Sequence, residues 1–489
     1  MNKENIKILF VYSLDETQSA LKPLSSPEQI NFGISYIAGL LKKNGHVPNL
    51  VILCKGRQKK SFILLEQNIN EFKPDIISFH IVSTQYDYLS EVASYIKERN
   101  QNIFLLAGGP HVSINPDDVI TGSFDAICIG EGEYPTLELV QKLIQNEPIT
   151  NIANFWIRTR NGIEKNATRP FIENLDSLSL PYRNMWFRWI EEHIGSRFSI
   201  LLGRGCYFNC TYCSNHVLRR VANGDYVRFR SPDNIISELR DLHHKFPNKY
   251  EYFFEIEAFN INKKWMIDLC LKLKTFNESL VKPLVFGTNI RITPNSNFED
   301  IFASCAKANI RYLTVGLESG SERIRRDVMN RVYSNDDVIR MASQARKYGL
   351  KFGFQNMIGL PSETEEDFME TVNLNRICQP DWYNLSIFYP YPGTDLANTS
   401  EKMGLLNKKI DSHMERKRVH LDLSTFPERS LKKRFFMFEL DVYKGKKPFI
   451  KILAVILQRI LSSYKVSNNI YRTIMRMAVL QKIKRIVER

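Results

Sequence analysis

Hydrophobic residues in the first 150 positions alternate between short continuous runs and stretches with helical spacing. The continuous runs are residues 6–11, 47–53, 75–82, 103–106 and 125–129. The helical stretches are residues 34–41, 86–96 and 135–144. Short apolar runs are typical of strands that are buried on both faces. The alternation therefore predicts a parallel sheet covered by helices, a flavodoxin-like (Rossmann-type) α/β domain over residues 1–150.

A second alternating series occupies residues 196–400. Its apolar runs are residues 198–202, 252–256, 284–288, 312–316, 352–358 and 382–388. Helical patterns lie between the runs, so six strand–helix units predict a partial (β/α)6 TIM barrel with its functional residues at the carboxyl ends of the strands. Residues 151–195 are rich in Asn and predict a linker with a β-ribbon. Residues 401–489 predict a helical C-terminal extension.

The charge of the chain is concentrated at its C-terminal end. The chain has 67 Lys and Arg against 53 Asp and Glu, whereas residues 431–489 have 15 against 3. The body is therefore nearly neutral, and apolar content of 43% makes a disordered chain a poor interpretation. In the basic region, apolar residues interleave with basic ones, namely Ile470, Ile474 and Met477 with Arg472, Arg476 and Lys482.

This interleaving predicts basic amphipathic helices that contact an anionic membrane surface. A helical cap on the barrel with a solvated basic face is an equal alternative, and nucleic acid is disfavoured because few aromatic residues are placed for base stacking. The N-terminal apolar run is too short for a signal peptide, and no run approaches the roughly 20 residues of a membrane span. We expect a cytoplasmic protein, with peripheral contact at the inner face of the membrane.

Three of the eight cysteines crowd into eight residues. Cys206, Cys210 and Cys213 form a C-x3-C-x2-C pattern directly after the first apolar run of the second series. Three thiolates on one glycine-flanked loop can hold three irons of a [4Fe–4S] cluster and leave the fourth iron for a substrate or cofactor. A zinc site is the alternative, with His216 as the fourth ligand.

The cysteine loop, with an aromatic residue before its last cysteine, resembles that of the radical S-adenosylmethionine (SAM) superfamily. Three further segments between residues 198 and 400 support the resemblance: GLESG at 316–320, MIGLPSET at 357–364 and YPGT at 391–394. The resemblance implies that the three cysteines bind the cluster. It also implies that SAM is bound by Tyr212, Glu318, Ser319, Ile358, Gly359 and Leu360.

One segment departs from the family's pattern. The second strand of the barrel often ends in a glycine-rich turn that holds the amino group of SAM, but here the sequence at 255–260 is EIEAFN. For Glu255 and Glu257, a functional role and a solvated strand end are equally good interpretations. Asn289 and Arg291 lie at the end of the third strand, where contacts to the substrate or to SAM and ordinary surface pairing are equally good interpretations.

Two glycine-rich loops follow the last two apolar runs of the first domain. Glycines there allow a flat ligand to approach the backbone, although ordinary turns are the competing interpretation. In front of a radical SAM-like region, residues 1–150 resemble the cobalamin (B12)-binding domain of the class B radical SAM methyltransferase-like enzymes. The resemblance implies that cobalamin is bound by Gly108, Gly109, Pro110, His111, Gly130, Glu131, Gly132 and Glu133.

A D-x-H-x-x-G sequence, whose histidine ligates cobalt in many cobalamin domains, does not occur in this sequence. We therefore predict cobalt without a protein histidine, and His46, His80 and His111 as free histidines. Methylthiotransferases of similar plan carry three further cysteines in the N-terminal domain. Here that domain has only Cys54 and Cys128, so a second cluster is disfavoured.

The resemblance implies an enzyme with three cofactors: a [4Fe–4S] cluster, SAM and cobalamin. It would cleave SAM to a 5′-deoxyadenosyl radical and methylate an unactivated carbon or a phosphinate of a small-molecule or lipid substrate. Its electrons would come from a flavodoxin- or ferredoxin-type donor. The alternatives are a radical cyclisation or rearrangement without methyl transfer, and a non-catalytic cobalamin or Fe–S sensor.

Overall fold

The computed structural model describes residues 4–15, 22–191, 197–406, 412 and 415–463. The N-terminal part forms a seven-stranded sheet in the order β2-β1-β3-β4-β5-β6-β7. The first five strands are parallel, and β6 and β7 extend the sheet as an antiparallel ribbon. The strands are β1 (Lys7–Leu14), β2 (Val47–Cys54), β3 (Ile76–His80), β4 (Phe104–Gly108), β5 (Ala126–Cys128), β6 (Phe155–Thr159) and β7 (Gly162–Lys165).

Helices cover this sheet and bury its apolar strands. They are α1 (Phe32–Lys43), α2 (Gln58–Phe72), α3 (Tyr86–Arg99), α4 (Pro110–Ile114), α5 (Pro116–Val119), α6 (Glu133–Gln145) and α7 (Asn184–Phe187). Helix α1 begins at Asn31, whose side chain accepts a hydrogen bond from the backbone N–H of Ile34. Helix α2 is missing from the sequence-based prediction. Its buried stripe is narrow, since only Ser61, Leu65 and Ile69 are buried.

The second sheet has six parallel strands in sequential order, which is the order of a partial barrel. They are β8 (Phe198–Leu201), β11 (Glu251–Glu255), β12 (Val285–Ile290), β13 (Ile310–Glu318), β14 (Lys351–Ile358) and β15 (Trp382–Ile387). A short hairpin, β9 (Gly203–Arg204) with β10 (Arg228–Phe229), follows β8. The predicted α/β fold, a Rossmann-type domain followed by a partial barrel, is confirmed.

Helices connect the strands of the barrel and continue beyond it. They are α8 (Asn215–Leu218), α9 (Pro232–Lys245), α10 (Lys263–Glu278), α11 (Glu299–Lys307), α12 (Asn335–Lys347), α13 (Glu365–Cys378), α14 (Asp395–Lys402), α15 (Glu428–Tyr443) and α16 (Phe449–Ser462). A π-helical turn, Ile324–Val328, lies between β13 and α12. Helix α15 packs against α13 and against Tyr383 of β15, and α16 packs on α15.

The C-terminal extension carries the helices α15 and α16, in agreement with the predicted helical extension. The interleaved residues from Ile470 to Lys482 lie outside the described residues. In the described part of the chain, no helix is long and apolar enough to cross a membrane.

Candidate active site

The cysteine loop begins where the β9–β10 hairpin leaves the barrel. Gly205 has φ +83°, and a Cβ atom at this position would lie 2.1 Å from the backbone oxygen of Tyr226. Only glycine fits this approach, so the loop can turn sharply toward the cysteines. Cys206, Cys210 and Cys213 follow within one loop, and all three thiols are free.

Donor groups surround the sulfur atoms. Arg291 Nη1 donates to Cys210 Sγ at 3.2 Å, and its guanidinium lies 3.8 Å from the centre of the Phe208 ring. Asn215 Nδ2 donates to Cys213 Sγ at 3.6 Å. Burial raises the pKa of the Cys213 thiol to about 11, and a bound metal would deprotonate this thiol as its ligand. N–H donors directed at sulfur suit the ligands of an iron–sulfur cluster.

His216 is not directed at the cysteines. Its Nε2 atom lies 3.3 Å from the backbone nitrogen of Asp395, at the start of α14. Among the described residues, no three His, Cys, Asp or Glu side chains converge on a point that could hold a metal ion. In a four-iron cluster each cysteine binds a different iron, so the three thiolates need not converge on a single point. The loop therefore fits the cluster, whereas His216 does not complete a zinc site.

The GLESG segment forms a bulge at the end of β13. The pairing register with β14 shifts between Gly316 and Glu318, and Glu318 has φ +64°. A bulge redirects a side chain at a strand end, and here the carboxylate of Glu318 lies 3.6 Å from Arg331 Nη1. The same Nη1 donates to Tyr212 Oη at 2.9 Å. Arg331 thus brings together two of the predicted SAM-binding residues, one from the cysteine loop and one from the barrel.

Burial is the main influence on the ionisable groups around Arg331. It raises the pKa of the Glu318 carboxyl, although the neighbouring guanidinium of Arg331 acts in the opposite direction. It also raises the pKa of Tyr212 well above the usual range. Ser319, the next predicted SAM-binding residue, is fully buried, and its carbonyl accepts a hydrogen bond from Arg325 Nη1 at 2.6 Å. Its hydroxyl accepts a hydrogen bond from the backbone N–H of Ser321 at 3.2 Å, so its side chain shapes the turn.

The IGLP loop after β14 is held by a carboxyl group of its own. Glu363 Oε2 accepts hydrogen bonds from the backbone N–H groups of Gly359 at 2.5 Å and Leu360 at 3.1 Å. Burial raises the pKa of Glu363 to about 8, despite these two donors, which favour the charged form. Ile358 and Leu360 are fully buried in the hydrophobic cluster against which Tyr212 packs.

A cavity lies between the first sheet and the cysteine loop. It encloses about 1170 Å³ when its open mouth is included. Seven of the eight predicted cobalamin-binding residues line it: Gly108, Gly109, Pro110, Gly130, Glu131, Gly132 and Glu133. The opposite wall belongs to the barrel, where Arg204 and Gly205 lie two and one residues before the first cysteine. A space of this size beside backbone without Cβ atoms fits a large, flat cofactor.

Histidines take different positions around this cavity. His80 lines it, and its Nε2 lies 3.2 Å from Asn31 Nδ2. Because Asn31 Oδ1 already accepts from Ile34 N, the amide presents its NH2 group, and His80 Nε2 is the acceptor. Burial lowers the pKa of His80 to about 4. His111 is turned away from the cavity, with its Nδ1 3.0 Å from Ser83 Oγ.

Four charged side chains join the two domains, of which Glu133 and Arg228 are buried and Glu131 and Arg204 are mostly buried. We call Glu131, Glu133, Arg204 and Arg228 the interdomain ion cluster. Glu131 accepts from Arg204 Nη1 at 2.7 Å and from Arg228 at 2.9 and 3.0 Å, and Glu133 accepts from Arg204 Nη2 at 2.5 Å. The backbone N–H of Ile172 also donates to Glu131 at 2.7 Å. The second glycine-rich loop is therefore fixed directly to the start of the cysteine loop.

A second cavity adjoins the first and shares Phe32, Arg204 and Gly205 with it. Glu255 and Glu257 line this space, so they face a cavity at the end of β11. Burial, together with nearby carboxylates, raises the pKa of Glu255 to about 7. Asn289 also lines it and donates to the carbonyl of Ile256 at 3.0 Å.

Sequence reasoning missed the arginines that assemble the site. Arg204, Arg228 and Arg331 bridge separate segments, and their partners lie 15 to 119 positions away. One signal was available for Arg204, because a charged residue between two glycines beside a buried strand requires a partner. That partner, a glutamate from the other domain, depends on how the domains pack.

Comparisons with known proteins agree with this geometry. The model of the radical SAM superfamily matches residues 200–374, and that of the B12 binding domain matches residues 26–140. An uncharacterized methyltransferase of Pyrococcus horikoshii is 28% identical over 399 residues, which are 80% of this chain and 82% of the relative. Hopanoid C-3 methylase of Methylococcus capsulatus is 23% identical, over 76% of this chain and 68% of the relative.

Another relative is the anaerobic magnesium-protoporphyrin IX monomethyl ester cyclase of Cereibacter sphaeroides. It is 26% identical over 74% of this chain and 59% of the relative. Among solved structures, the radical SAM methyltransferase TsrM from Kitasatospora setae, with cobalamin and a [4Fe–4S] cluster bound, has a TM-score of 0.66 at 14% identity. The match covers 91% of this chain and 90% of TsrM.

The cobalamin-dependent radical SAM enzyme OxsB, with aqua-cobalamin bound, also has a TM-score of 0.66, at 15% identity. That match covers 98% of this chain and 76% of OxsB. These structures share the fold. The chain is a radical SAM enzyme. A B12-binding domain precedes the radical SAM domain in the same polypeptide, which is the domain order of cobalamin-dependent radical SAM enzymes. Its cofactors are a [4Fe–4S] cluster, SAM and cobalamin.

Proposed function

We propose that the enzyme methylates an unactivated carbon or a phosphinate of a small-molecule or lipid substrate. The observation that carries this proposal is the wall shared by the two cofactor sites. Arg204 and Gly205 lead directly into the cysteine loop and also line the cavity below the glycine-rich loops. When bound, the cluster and SAM supply a 5′-deoxyadenosyl radical, and cobalamin carries the methyl group.

In this proposal the chain binds and orients the cofactors. Cys206, Cys210 and Cys213 hold the cluster, with Arg291 and Asn215 donating hydrogen bonds to two of the sulfur atoms. The backbone of the bulge at Glu318 and of the IGLP loop forms the SAM site with Tyr212. Ser319 acts by shaping the turn, because it is fully buried.

The glycine-rich loops would contact cobalamin, and we predict that no protein histidine ligates its cobalt. His80 lines the cavity, but its Nε2 lone pair accepts from Asn31. His111 lies behind the loop. We propose the second cavity, lined by Glu255, Glu257 and Asn289, as the substrate site, since it opens beside both cofactor sites.

The experiment uses the full chain, reconstituted anaerobically with iron, sulfide and cobalamin. Methyl-labelled SAM, reductant and a metabolite and lipid extract of the source cells are added. Methyl transfer predicts a labelled product, with S-adenosylhomocysteine and 5′-deoxyadenosine formed in equal amounts, because SAM is consumed once as methyl donor and once as radical source. Product without label contradicts the proposal.

Radical cyclisation without methyl transfer is the second candidate. It is favoured by the similarity to the magnesium-protoporphyrin IX monomethyl ester cyclase. Cyclisation predicts 5′-deoxyadenosine without S-adenosylhomocysteine, so the same reaction separates the two. A sensor would form neither product. A flavodoxin- or ferredoxin-type protein is the proposed electron donor, and replacing dithionite by reduced flavodoxin tests it.

A further inference from the structure

Exposed apolar side chains gather on the last described helix. On α16, the exposed fractions of Phe449, Ile450 and Leu457 are 66%, 71% and 50%, and Leu453 and Leu461 reach 37% and 36%. Residues 449, 453, 457 and 461 recur every fourth position, so together with Ile450 beside Phe449 they form one apolar stripe along the helix. The opposite face is buried on α15. This apolar stripe is thus a continuous surface, unlike the exposed apolar residues that lie elsewhere.

The surroundings of the stripe are strongly basic. Residues 444–463 contain five Lys and Arg and no Asp or Glu. Arg459 is used internally, because it donates to Phe435 O at 2.7 Å and to Tyr383 Oη at 2.8 Å. Lys447 pairs with the buried Glu439 at 3.0 Å.

Three lysines lie in or just before α16, namely Lys444, Lys446 and Lys451. None of them has a carboxylate partner among the residues that the structure describes. The sequence continues this charge, since residues 464–489 contain seven Lys and Arg against one Glu. Apolar side chains with a bulky aromatic at the tip, near lysines that no described carboxylate neutralises, match the chemistry of an anionic lipid surface.

The stripe also has a defined relation to the mouth of the barrel. At the C-terminal end of α16, Lys417 Nζ donates to Ser462 O at 3.0 Å. Two residues before Lys417, Glu415 accepts from Tyr391 Oη at 3.0 Å, just beyond the carboxyl end of β15. A surface that receives α16 therefore lies next to the β15 side of the barrel mouth.

We propose that α16 docks the enzyme on an anionic bilayer, with its apolar stripe inserted among the lipid headgroups and its lysines against the lipid phosphates. The docked enzyme presents the β15 side of its barrel mouth to the membrane. This inference does not depend on methyl transfer, because a docked cyclase would use the same surface.

The test is sedimentation of the full-length holoenzyme with vesicles. Vesicles of phosphatidylcholine with phosphatidylglycerol are compared with vesicles of phosphatidylcholine alone, at low and high salt. We expect binding to the anionic vesicles only, weakened by salt. The variant F449S/I450S/L457S should bind at least about tenfold more weakly, because three side chains that would enter the interface are lost. Its SAM cleavage without vesicles should equal that of wild type.

The matched control replaces exposed apolar residues of other surfaces, as in I63S/L271S/V281S, with exposed fractions of 50%, 58% and 107%. It should bind vesicles like wild type. A second variant, K444E/K451E, should lose most of its binding to anionic vesicles and keep its fold, since Lys444 is exposed and Lys451 is partly exposed.

Three results would overturn the proposal. The first is no sedimentation of wild type with anionic vesicles, or equal sedimentation of the stripe variant. The second is a wild-type dimer that the stripe variant cannot form, with neither protein sedimenting with vesicles. This result would show that the stripe contacts a second copy of the chain. The third is an I450C holoenzyme that reacts with maleimide no faster than wild type. This result would show that residues 464–489 of the same chain cover the stripe.

Discussion

The interdomain ion cluster allows a quantitative prediction about how the two cofactor domains are held. Glu131 accepts four hydrogen bonds, three of them from the guanidinium groups of Arg204 and Arg228. The substitution Glu131→Gln removes one of two negative charges, leaves Arg204 with Glu133 alone and leaves the buried Arg228 without a carboxylate partner among the described residues. Removing one partner of a buried ion pair costs about 3–5 kcal/mol, because the remaining charge is not compensated. We expect a loss of this size in the free energy of unfolding.

The matched control is Glu138→Gln. Glu138 pairs with Arg169, and the two side chains keep 32% and 30% of their surface exposed. A pair with that exposure is screened by water and contributes about 0–1 kcal/mol. The assay is urea unfolding followed by tryptophan fluorescence and circular dichroism. Hydrogen exchange of the amides of residues 130–133 serves as a local measurement that does not require two-state unfolding.

The pH dependence of the free energy of unfolding tests independently whether the Glu131 carboxylate stabilises the fold. Burial alone would raise the pKa of Glu131, but Arg204 and Arg228 outweigh it, and the pKa is lowered. A carboxyl group with a lowered pKa in the folded state stabilises the protein fully above its unfolded pKa of about 4.3. This stabilisation disappears as the pH falls through the folded value. The difference between wild type and E131Q should therefore be constant at neutral pH and shrink below about pH 4.

Equal losses in the free energy of unfolding for E131Q and E138Q would refute the reasoning. They would show that an ion pair between the domains stabilises the protein no more than an exposed one. Faster exchange in both the 130–133 loop and the cysteine loop of E131Q would support it. Unchanged exchange in the cysteine loop would show that the cluster holds the domain without positioning the cysteines.

Three further predictions concern single side chains. Cys206→Ala should lose most of the iron and sulfide and all SAM cleavage, whereas Cys378→Ala, which removes another buried thiol, should keep both; a full cluster spectrum in C206A would contradict the assignment. The pKa of Glu363 is raised to about 8 in the folded protein. Its contribution to stability is therefore fully present at low pH, and it is lost as the pH rises toward 8. Wild type should therefore lose more stability than Glu363→Gln between pH 6 and pH 9, measured by urea midpoints, and a parallel loss in both would refute the shift. Finally, His80→Ala should leave the electron paramagnetic resonance spectrum of bound cob(II)alamin unchanged, and a loss of nitrogen splitting would reveal a histidine ligand.

Much of the fold was predictable from local patterns. The parallel strands of both sheets correspond to the predicted apolar runs, because a strand buried on both faces has few polar positions to interrupt it. Strand ends shifted by a few residues, as at β13, where the bulge carries the strand on to Glu318. Helix α2 was missed, because its outward face is polar and only a narrow stripe is buried.

The site was predictable only in part. Seven of the eight residues proposed for cobalamin line one cavity, since the carboxyl ends of neighbouring parallel strands meet at one edge of a sheet. His111 does not line it. It is the second residue of α4, and its ring points to Ser83, a direction that depends on how the helix packs. The position of His111 in the sequence does not predict whether its ring faces the cavity or Ser83.

The sequence by itself determined the modules and their chemistry: two alternating α/β series, a three-cysteine loop after the first strand of the second series, glycine-rich loops at two strand ends and a basic C-terminal region. These features are local, so spacing and residue type are enough to define them. The tertiary structure decided how they are joined. Arg204, Arg228 and Arg331 meet partners across 15 to 119 residues, because burying a charge requires an opposite charge or a hydrogen-bond acceptor nearby, and packing alone determines which residue is near.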